Sequence, residues 1–195
     1  SILMAYYPGM EGGRALASII FGEVNPSGKL PYVVPYKEEH LPQVEWDTTE
    51  QFYDYYHGYT KLEKEGIEPL LPYGFGLSYT TFEVKDAKFS TDGQNVIAEC
   101  TVTNTGGRAG TEVVQMYVGF SNSQVHRPKK VLRGFARVEL EPGESKSVTI
   151  SCPYEKLRYY NEEINDWVLE KMDYEVYIGT SSADKDLLKG KVTIA

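Results

Sequence analysis

Asn95-Val-Ile-Ala-Glu-Cys-Thr-Val-Thr103 is the stretch of sequence that decides the fold. Apolar side chains at positions 96, 98, 100 and 102 alternate with mostly polar ones at 97, 99, 101 and 103. Successive side chains of a β-strand point to opposite faces of the sheet, so a period of two is typical of an antiparallel strand with one buried face. The residues predicted to face the core are Val96, Ala98, Cys100 and Val102.

The sequence on both sides of this strand repeats the pattern. Strand-like runs are separated by turn-forming sequences such as Asp92-Gly93 and Glu141-Pro142-Gly143. Seven or eight short strands, with tyrosines on a late strand near Asp173, are typical of an immunoglobulin-like or fibronectin III-like antiparallel β-sandwich, and the fold class is therefore mainly β. The predicted strands span residues 82–89, 95–103, 111–119, 131–140, 146–152, 167–170, 173–179 and 190–195.

Two cysteines, Cys100 and Cys152, fall on the inward faces of two predicted strands. They are too few for a disulfide scaffold. Buried free thiols are favoured, and a bridge between the two stays open as the alternative.

The N-terminal residues have a different pattern. Residues 2–5 are apolar without alternation, as at the end of a strand buried on both faces. Pro8 suits the first turn of a helix, Gly22 can end it in the left-handed conformation, and residues 30–34 favour another strand. Such a strand needs neighbours in a sheet, so residues 1–35 are predicted to be the truncated end of an α/β sandwich domain.

Residues 36–80 are rich in Pro, Tyr and Glu and have weak periodicity, which indicates an inter-domain linker segment wrapped over a neighbour. The stretch Pro72-Tyr-Gly-Phe-Gly-Leu-Ser-Tyr-Thr-Thr-Phe82 suits a tight joint, since glycines allow close backbone approach and aromatic rings fill the remaining space. The expected division is 1–35, an incomplete α/β domain; 36–80, the wrapping segment; and 81–195, the fibronectin type III-like domain.

Composition argues against several classes of function. The net charge is −8 and no long basic run occurs, which argues against a nucleic-acid partner. No apolar stretch approaches the ~20 residues that cross a bilayer, so no membrane association is expected. No cofactor or metal is expected either, because the chain has no phosphate-binding glycine loop and its three histidines lack metal-ligand spacing. The compartment stays open.

Two sequences could hold a sugar. Asn165-Asp166-Trp167 follows a polar run and leads into a strand, so it is predicted to be a hairpin turn with Trp167 in the core. The run from Phe52 to Tyr59 places six aromatic rings, counting an imidazole, beside a carboxylate; it could line a sugar cleft or pack between domains. The candidate residues bordering a substrate cleft are Asp54, Tyr55, Tyr56, His57 and Tyr59.

A series of motifs occurs in fixed order along the chain. They are Pro8-Gly9-Met10-Glu11-Gly12-Gly13, Phe21 to Pro31, Gly66-Ile67-Glu68-Pro69-Leu70, Pro72 to Thr80, Asn104-Thr105-Gly106, Arg127-Pro128 and Leu132-x-Gly134-Phe135. This series resembles the C-terminal part of glycoside hydrolase family 3, the β-glucosidase and β-xylosidase family, with its fibronectin type III-like domain. One departure is Gly58-Tyr59-Thr60, where the family often has Gly-Tyr-Arg.

The resemblance implies a retaining hydrolase of terminal β-D-glucosyl residues, in which a barrel domain supplies the nucleophilic Asp and an α/β domain the acid/base Glu. In the family's order both precede the Pro8-Gly9 motif, so no residue of this chain is expected to be catalytic. The chain alone is expected to be structural and inactive. The implied partners are the barrel and α/β domains of the same enzyme and its β-glucoside substrate.

Alternatives stay open beside this interpretation. The chain could be a carbohydrate- or protein-binding β-sandwich module, or the complementing subunit of a split hydrolase. A homo-oligomer is also compatible with the sequence.

Overall fold

Nine strands and two α-helices form the part of the chain, residues 2–195, that the computed structural model describes. The helices are α1 (Gly12–Ile20) and α2 (Gly58–Glu65), and short 3-10 helices span Glu38–His40, Tyr154–Leu157 and Asp184–Asp186. The strands are β1 (Phe82–Thr91), β2 (Asn95–Asn104), β3 (Gly110–Gly119), β4 (Lys130–Leu140), β5 (Ser145–Pro153), β6 (Tyr159–Asn161), β7 (Asp166–Val168), β8 (Asp173–Gly179) and β9 (Leu187–Thr193).

Two antiparallel sheets make up the sandwich, as the sequence predicts. The smaller sheet has the order β1-β2-β5 and the larger has the order β4-β3-β8-β9. The inward side chains of β2 are at most 2% exposed, so the alternation in residues 95–103 is confirmed. They pack against β3 and β8 across the sandwich, and full burial of each such aliphatic side chain stabilises the fold by about 1.5–3 kcal/mol.

Two details of the sandwich agree with the sequence analysis. Cys100 and Cys152 are both buried and free, as favoured. Tyr174 on β8 is fully buried, and its hydroxyl donates to the Glu170 carbonyl at 2.8 Å, four residues upstream. Such a tyrosine corner fixes the chain before a late strand of the sandwich.

The prediction that Trp167 is a core residue is wrong. A hairpin does form, with Asn165 in the left-handed conformation at its turn, but β6 and β7 pair only with each other. This two-stranded sheet lies outside the two main sheets, so neither of its faces is fully covered. Trp167 is 58% exposed and meets the Tyr160 ring edge-on at 5.6 Å.

Both strands predicted in the N-terminal segment are wrong. Residues 2–5 have no regular structure, and Ile2 is 95% exposed. Residues 30–34 make only one isolated bridge, between Val34 and Leu71. An apolar run becomes a strand only where another strand accepts its hydrogen bonds, and the described chain offers none to residues 2–5.

The two helices agree only partly with the sequence analysis. Helix α1 begins at Gly12, later than the predicted start at Pro8, and Gly22 follows it with φ +77°, as predicted for the stop. Helix α2 was not predicted, since its single buried side chain, Leu62, leaves little periodicity to detect. Gly66, with φ +67°, ends α2 in the left-handed conformation.

Candidate functional site

The joint at residues 72–82 lies between the N-terminal segment and the sandwich. Its backbone pairs with Leu30, which donates to the Phe75 carbonyl at 2.8 Å and accepts from the Gly74 amide at 2.9 Å. A Cβ on Gly76 would lie 2.4 Å from the Gly28 carbonyl oxygen, so any side chain there would separate the two segments. This glycine therefore has a packing role that the sequence predicts.

Asn25 ties three segments together at this joint. Its Oδ1 accepts from the Ser78 hydroxyl at 2.9 Å and from the Tyr79 amide at 2.8 Å. Its Nδ2 donates to the Ala109 carbonyl at 2.9 Å, next to β3. Removing this amide would break three hydrogen bonds to partly buried or exposed groups of two other segments, which makes Asn25 a structural residue of the joint.

Gln115 of β3 fixes the other side of the joint. Its Nε2 donates to the carbonyls of Gly74 and Thr180 at 3.0 and 2.8 Å, and its Oε1 accepts from the Tyr117 hydroxyl at 2.6 Å. Burial raises the pKa of Tyr117 strongly, so the phenol stays a neutral donor. Gln115 lies on the sheet face that points away from the sandwich core, and its side chain joins the segment 72–82 to β3 and to the loop after β8.

Ion pairs reinforce the same contact. Lys29 lies 2.6 Å from the Glu112 carboxylate on β3. Lys130, at the start of β4, is 1% exposed and contacts both Glu63 of α2 and Asp184, the latter at 2.8 Å. Beside Lys130 a cavity of about 350 Å³ opens between α2, β4 and the loop before β9.

The Tyr-rich run divides into inward and outward residues. Tyr56 is buried and donates to the Arg127 carbonyl at 3.1 Å. The Tyr59 hydroxyl accepts from the Leu132 amide at 3.0 Å, and burial raises the pKa of Tyr59 to about 12. Tyr59 therefore packs α2 onto β4, and Tyr56 packs the residues before α2 onto the loop that precedes β4.

The remaining candidates, Asp54, Tyr55 and His57, lie on the surface. Asp54 is 3.2 Å from the Lys64 ammonium, and its pKa is lowered by the Tyr55 amide and by Lys64. The Tyr55 ring meets the Tyr56 ring edge-on at 5.3 Å. The five candidate residues therefore lie in one segment, but Tyr56 and Tyr59 pack inward whereas the other three face solvent.

Sequence reasoning missed two cations that tertiary contacts take out of water. It singled out neither Lys130, which is 1% exposed, nor Arg133, whose Nε is buried without a hydrogen-bond partner. Neither residue has a local signal, because their environment is built by segments distant in sequence. Within residues 2–195, no group of three or more His, Cys, Asp or Glu side chains could hold a metal ion, and no helix is long and apolar enough to span a membrane.

Comparison with known families agrees with this architecture. Residues 1–79 match the glycosyl hydrolase family 3 C-terminal domain, and residues 112–182 match the fibronectin type III-like domain. Together the two matches cover most of the chain. The chain belongs to glycoside hydrolase family 3.

Relatives of this family 3 chain are much longer than the chain. Thermostable beta-glucosidase B of Acetivibrio thermocellus is 43% identical over 193 residues, covering 94% of the chain and 26% of the relative. Beta-glucosidase BoGH3A of Bacteroides ovatus is 37% identical over 207 residues, covering 99% and 27%. The family 3 chain therefore corresponds to about a quarter of these relatives' length.

Among solved structures, the beta-D-glucoside glucohydrolase from Trichoderma reesei superimposes with a TM-score of 0.89 at 27% identity, covering 96% of the chain and 29% of that protein. The similarity spans the sandwich and the N-terminal segment together. The family 3 fold, including the position of the joint, is thus shared with an enzyme of which this chain matches only a part.

Proposed function

We propose that this chain is the C-terminal part of a retaining β-glucosidase, in which it supports the catalytic α/β domain and supplies no catalytic group. The observation that carries the proposal is the uneven burial of apolar side chains. Most of the exposed large hydrophobic residues lie between residues 2 and 79, where Tyr56 and Leu62 are the buried hydrophobic residues of the described segment. The sandwich, by contrast, has a continuous core.

An apolar surface of this kind marks a contact with another protein body. Tyr7, Met10 and Phe21, around α1, are 82% exposed or more. The partner that fits is the body of the α/β domain in the same polypeptide, because the relatives carry about three quarters of their length outside the matched region. We therefore assign residues 1–35 to that domain, residues 36–80 to the wrapping linker, and residues 81–195 to the supporting sandwich.

The position of the Tyr-rich run extends the proposal. Asp54, Tyr55 and His57 are exposed in the same segment as the exposed rings of Phe52 and Tyr53, which supports a place at the border of the substrate cleft in the full enzyme. A separate carbohydrate-binding platform is less well supported. Stacking on sugars favours coplanar rings, whereas the exposed Tyr55 ring meets the buried Tyr56 ring at 85° and the exposed pair Tyr160–Trp167 has an interplanar angle of 72°.

The test compares the isolated chain with the full-length enzyme that contains it. Both are assayed with an aryl β-glucoside, and an aryl β-xyloside serves as the comparison for sugar preference. The full-length enzyme is expected to hydrolyse the glucoside with retention of configuration, and the isolated chain is expected to match the buffer blank. Clear hydrolysis by the isolated chain, or none by the full-length enzyme, would overturn the proposal.

A further inference from the structure

The described residues contain one desolvated cation that lacks the ion pair its neighbours have. Lys130 contacts Glu63 and Asp184, and Arg127, with a side chain only 6% exposed, lies 3.3 Å from Glu170. Arg133 makes no such pair within residues 2–195, and its buried Nε has no hydrogen-bond partner. Burial, with a smaller contribution from Arg127, lowers the pKa of Arg133. The charged guanidinium without a partner therefore reduces the free energy of unfolding.

A β-bulge puts Arg133 in this position. Met116 pairs with Gly134 and Tyr117 pairs with Leu132, so Arg133 is the extra residue that no residue of β3 opposes. A bulge bends its strand and redirects the side chain of the inserted residue. Because β4 is an edge strand of the larger sheet, the redirected side chain lies at a margin of the sandwich.

The Phe120 ring and the Cys152 thiol lie near the guanidinium. The Phe120 ring centroid is 5.8 Å from the Arg133 Cζ and 3.6 Å from the Arg127 Cζ. Tyr55 and Tyr59 lie close enough to influence the titration of Arg133. Arg127 already has its carboxylate, and it also donates to the Leu157 carbonyl at 2.8 Å. Arg133 alone in this cluster therefore has free capacity for an anion.

A carboxylate is the group that this site fits. A guanidinium presents parallel N–H donors that match the two oxygens of a carboxylate, and the pair is strong where water is excluded. Tyr55, 60% exposed, continues a run of exposed rings with Phe52 and Tyr53 in the N-terminal segment, whose exposed apolar side chains are assigned above to contact with the α/β domain. A carboxylate approaching from that domain would meet Arg133 at the margin of the sandwich.

We propose that Arg133 forms an ion pair with a carboxylate side chain of the catalytic part of the same enzyme, and that this pair fixes the sandwich against it. The inference rests on the proposed function, since it names the chemistry of the contact through which the sandwich supports the catalytic part. The source of the carboxylate is an Asp or Glu of the preceding domains. A second copy of the chain is the competing source that the experiment distinguishes.

The experiment places the same substitutions in the isolated chain and in the full-length enzyme. Arg133→Met removes the charge but keeps an unbranched side chain, Arg133→Lys keeps the charge without the guanidinium fork, and Lys88→Gln removes an exposed cation from β1 as the control. Thermal unfolding is measured for the isolated chain at several concentrations. Amide hydrogen exchange at residues 52–59 and 130–134 is measured in the full-length enzyme.

In the isolated chain, Arg133→Met is expected to keep or raise the unfolding midpoint, because it removes an unpaired desolvated charge. In the full-length enzyme it is expected to accelerate exchange at those residues by more than about tenfold, because it strands the partner carboxylate. The exchange rates of full-length Arg133→Lys should fall between those of wild type and Arg133→Met. Lys88→Gln should match wild type both in the unfolding midpoint of the isolated chain and in the exchange rates of the full-length enzyme.

Three results would overturn the inference. The first is unchanged exchange in full-length Arg133→Met, and the second is a lowered midpoint of the isolated variant, which would show that Arg133 stabilises the chain by internal contacts. The third is a concentration-dependent midpoint that Arg133→Met abolishes, which would assign the carboxylate to a second copy. If the wild-type full-length enzyme hydrolyses the β-glucoside while Arg133→Met leaves hydrogen exchange unchanged, only this inference fails and the proposed function stands.

Discussion

Lys130 shows how single buried charges connect the linker to the sandwich. Its ammonium is 1% exposed and lies between the carboxylates of Glu63 on α2 and Asp184 before β9. Burial raises the pKa of Glu63 while Lys130 opposes the rise, and the hydrogen bond from Lys130 is the main cause that lowers the pKa of Asp184. Lys130 and Glu63 depend on each other, because a buried charge is stable only with its partner, whereas the exposed Asp184 adds a second carboxylate to Lys130.

We predict that Lys130→Met destabilises the chain by about 3 kcal/mol at neutral pH, since it leaves Glu63 buried and unpaired. The pKa of Glu63 is raised in the folded state, so its ionised form destabilises the fold above that pKa and the cost disappears as the pH falls through it. The destabilisation caused by Lys130→Met should therefore be smaller at about pH 5 than at neutral pH. The pKa of Asp184 is lowered below its ordinary value of 3.8, so Asp184 stays ionised at both pH values and does not contribute to this difference.

Urea unfolding at the two pH values measures this effect, with Lys191→Met, an exposed lysine of β9, as the matched control. The double variant Lys130→Met/Glu63→Gln should recover most of the lost stability, because no unpaired buried carboxylate remains. Equal destabilisation of Lys130→Met at both pH values would contradict the assigned role of Glu63.

Residue-level prediction from sequence succeeded where the environment is local. Val96, Ala98 and Cys100 were placed in the core by alternation alone, and this is confirmed. The environment of Lys130 could not be found this way, because Glu63 and Asp184 approach it from distant elements. A lysine in a short basic pair has the same sequence signal whether it is exposed or buried.

At the scale of elements, the predicted strands from Phe82 onward were mostly correct because turn-forming sequences separate runs that alternate between apolar and polar residues. The short strand β6 was missed, and the strands predicted at 2–5 and 30–34 were wrong. Those apolar segments have no neighbouring strands in the described chain, and an apolar run alone does not distinguish a strand from an exposed segment awaiting a partner. Helix α2 was missed for a different reason. Contacts of Tyr59 and Leu62 with other elements stabilise it, and its own sequence has little hydrophobic periodicity.

Helix α1 should be the least protected helix in the isolated chain. It has nine residues, Gly12 is its one buried residue, and no side-chain cap satisfies its first turn. Short helices without such packing are marginal in water. Hydrogen exchange of a dilute monomer should therefore show rapid exchange at residues 12–20 and slow exchange in β2 and β3. Uniform protection across these elements would contradict the view that the N-terminal segment needs a partner.

The whole molecule combines two parts of unequal stability. The sandwich encloses a continuous core, whereas the N-terminal segment is held mainly by hydrogen bonds and ion pairs at the joint, such as those of Asn25 and Lys29. Contacts of this kind open without exposing the core. Local opening of the segment should therefore be much more frequent than global unfolding.

The two thiols can test this separation directly, because both lie inside the sandwich on β2 and β5. Burial raises the pKa of Cys100 to about 11 and also raises that of Cys152, so in the folded chain both are shielded and protonated. A thiol reagent should then label both at one common rate, set by opening of the sandwich and far slower than amide exchange in α1. Labelling is followed by mass spectrometry, with Cys100→Ser and Cys152→Ser reporting each site separately and denatured chain giving the intrinsic rate. If the thiols are labelled as fast as α1 exchanges, the two parts open together and the sandwich is not an independent stable unit.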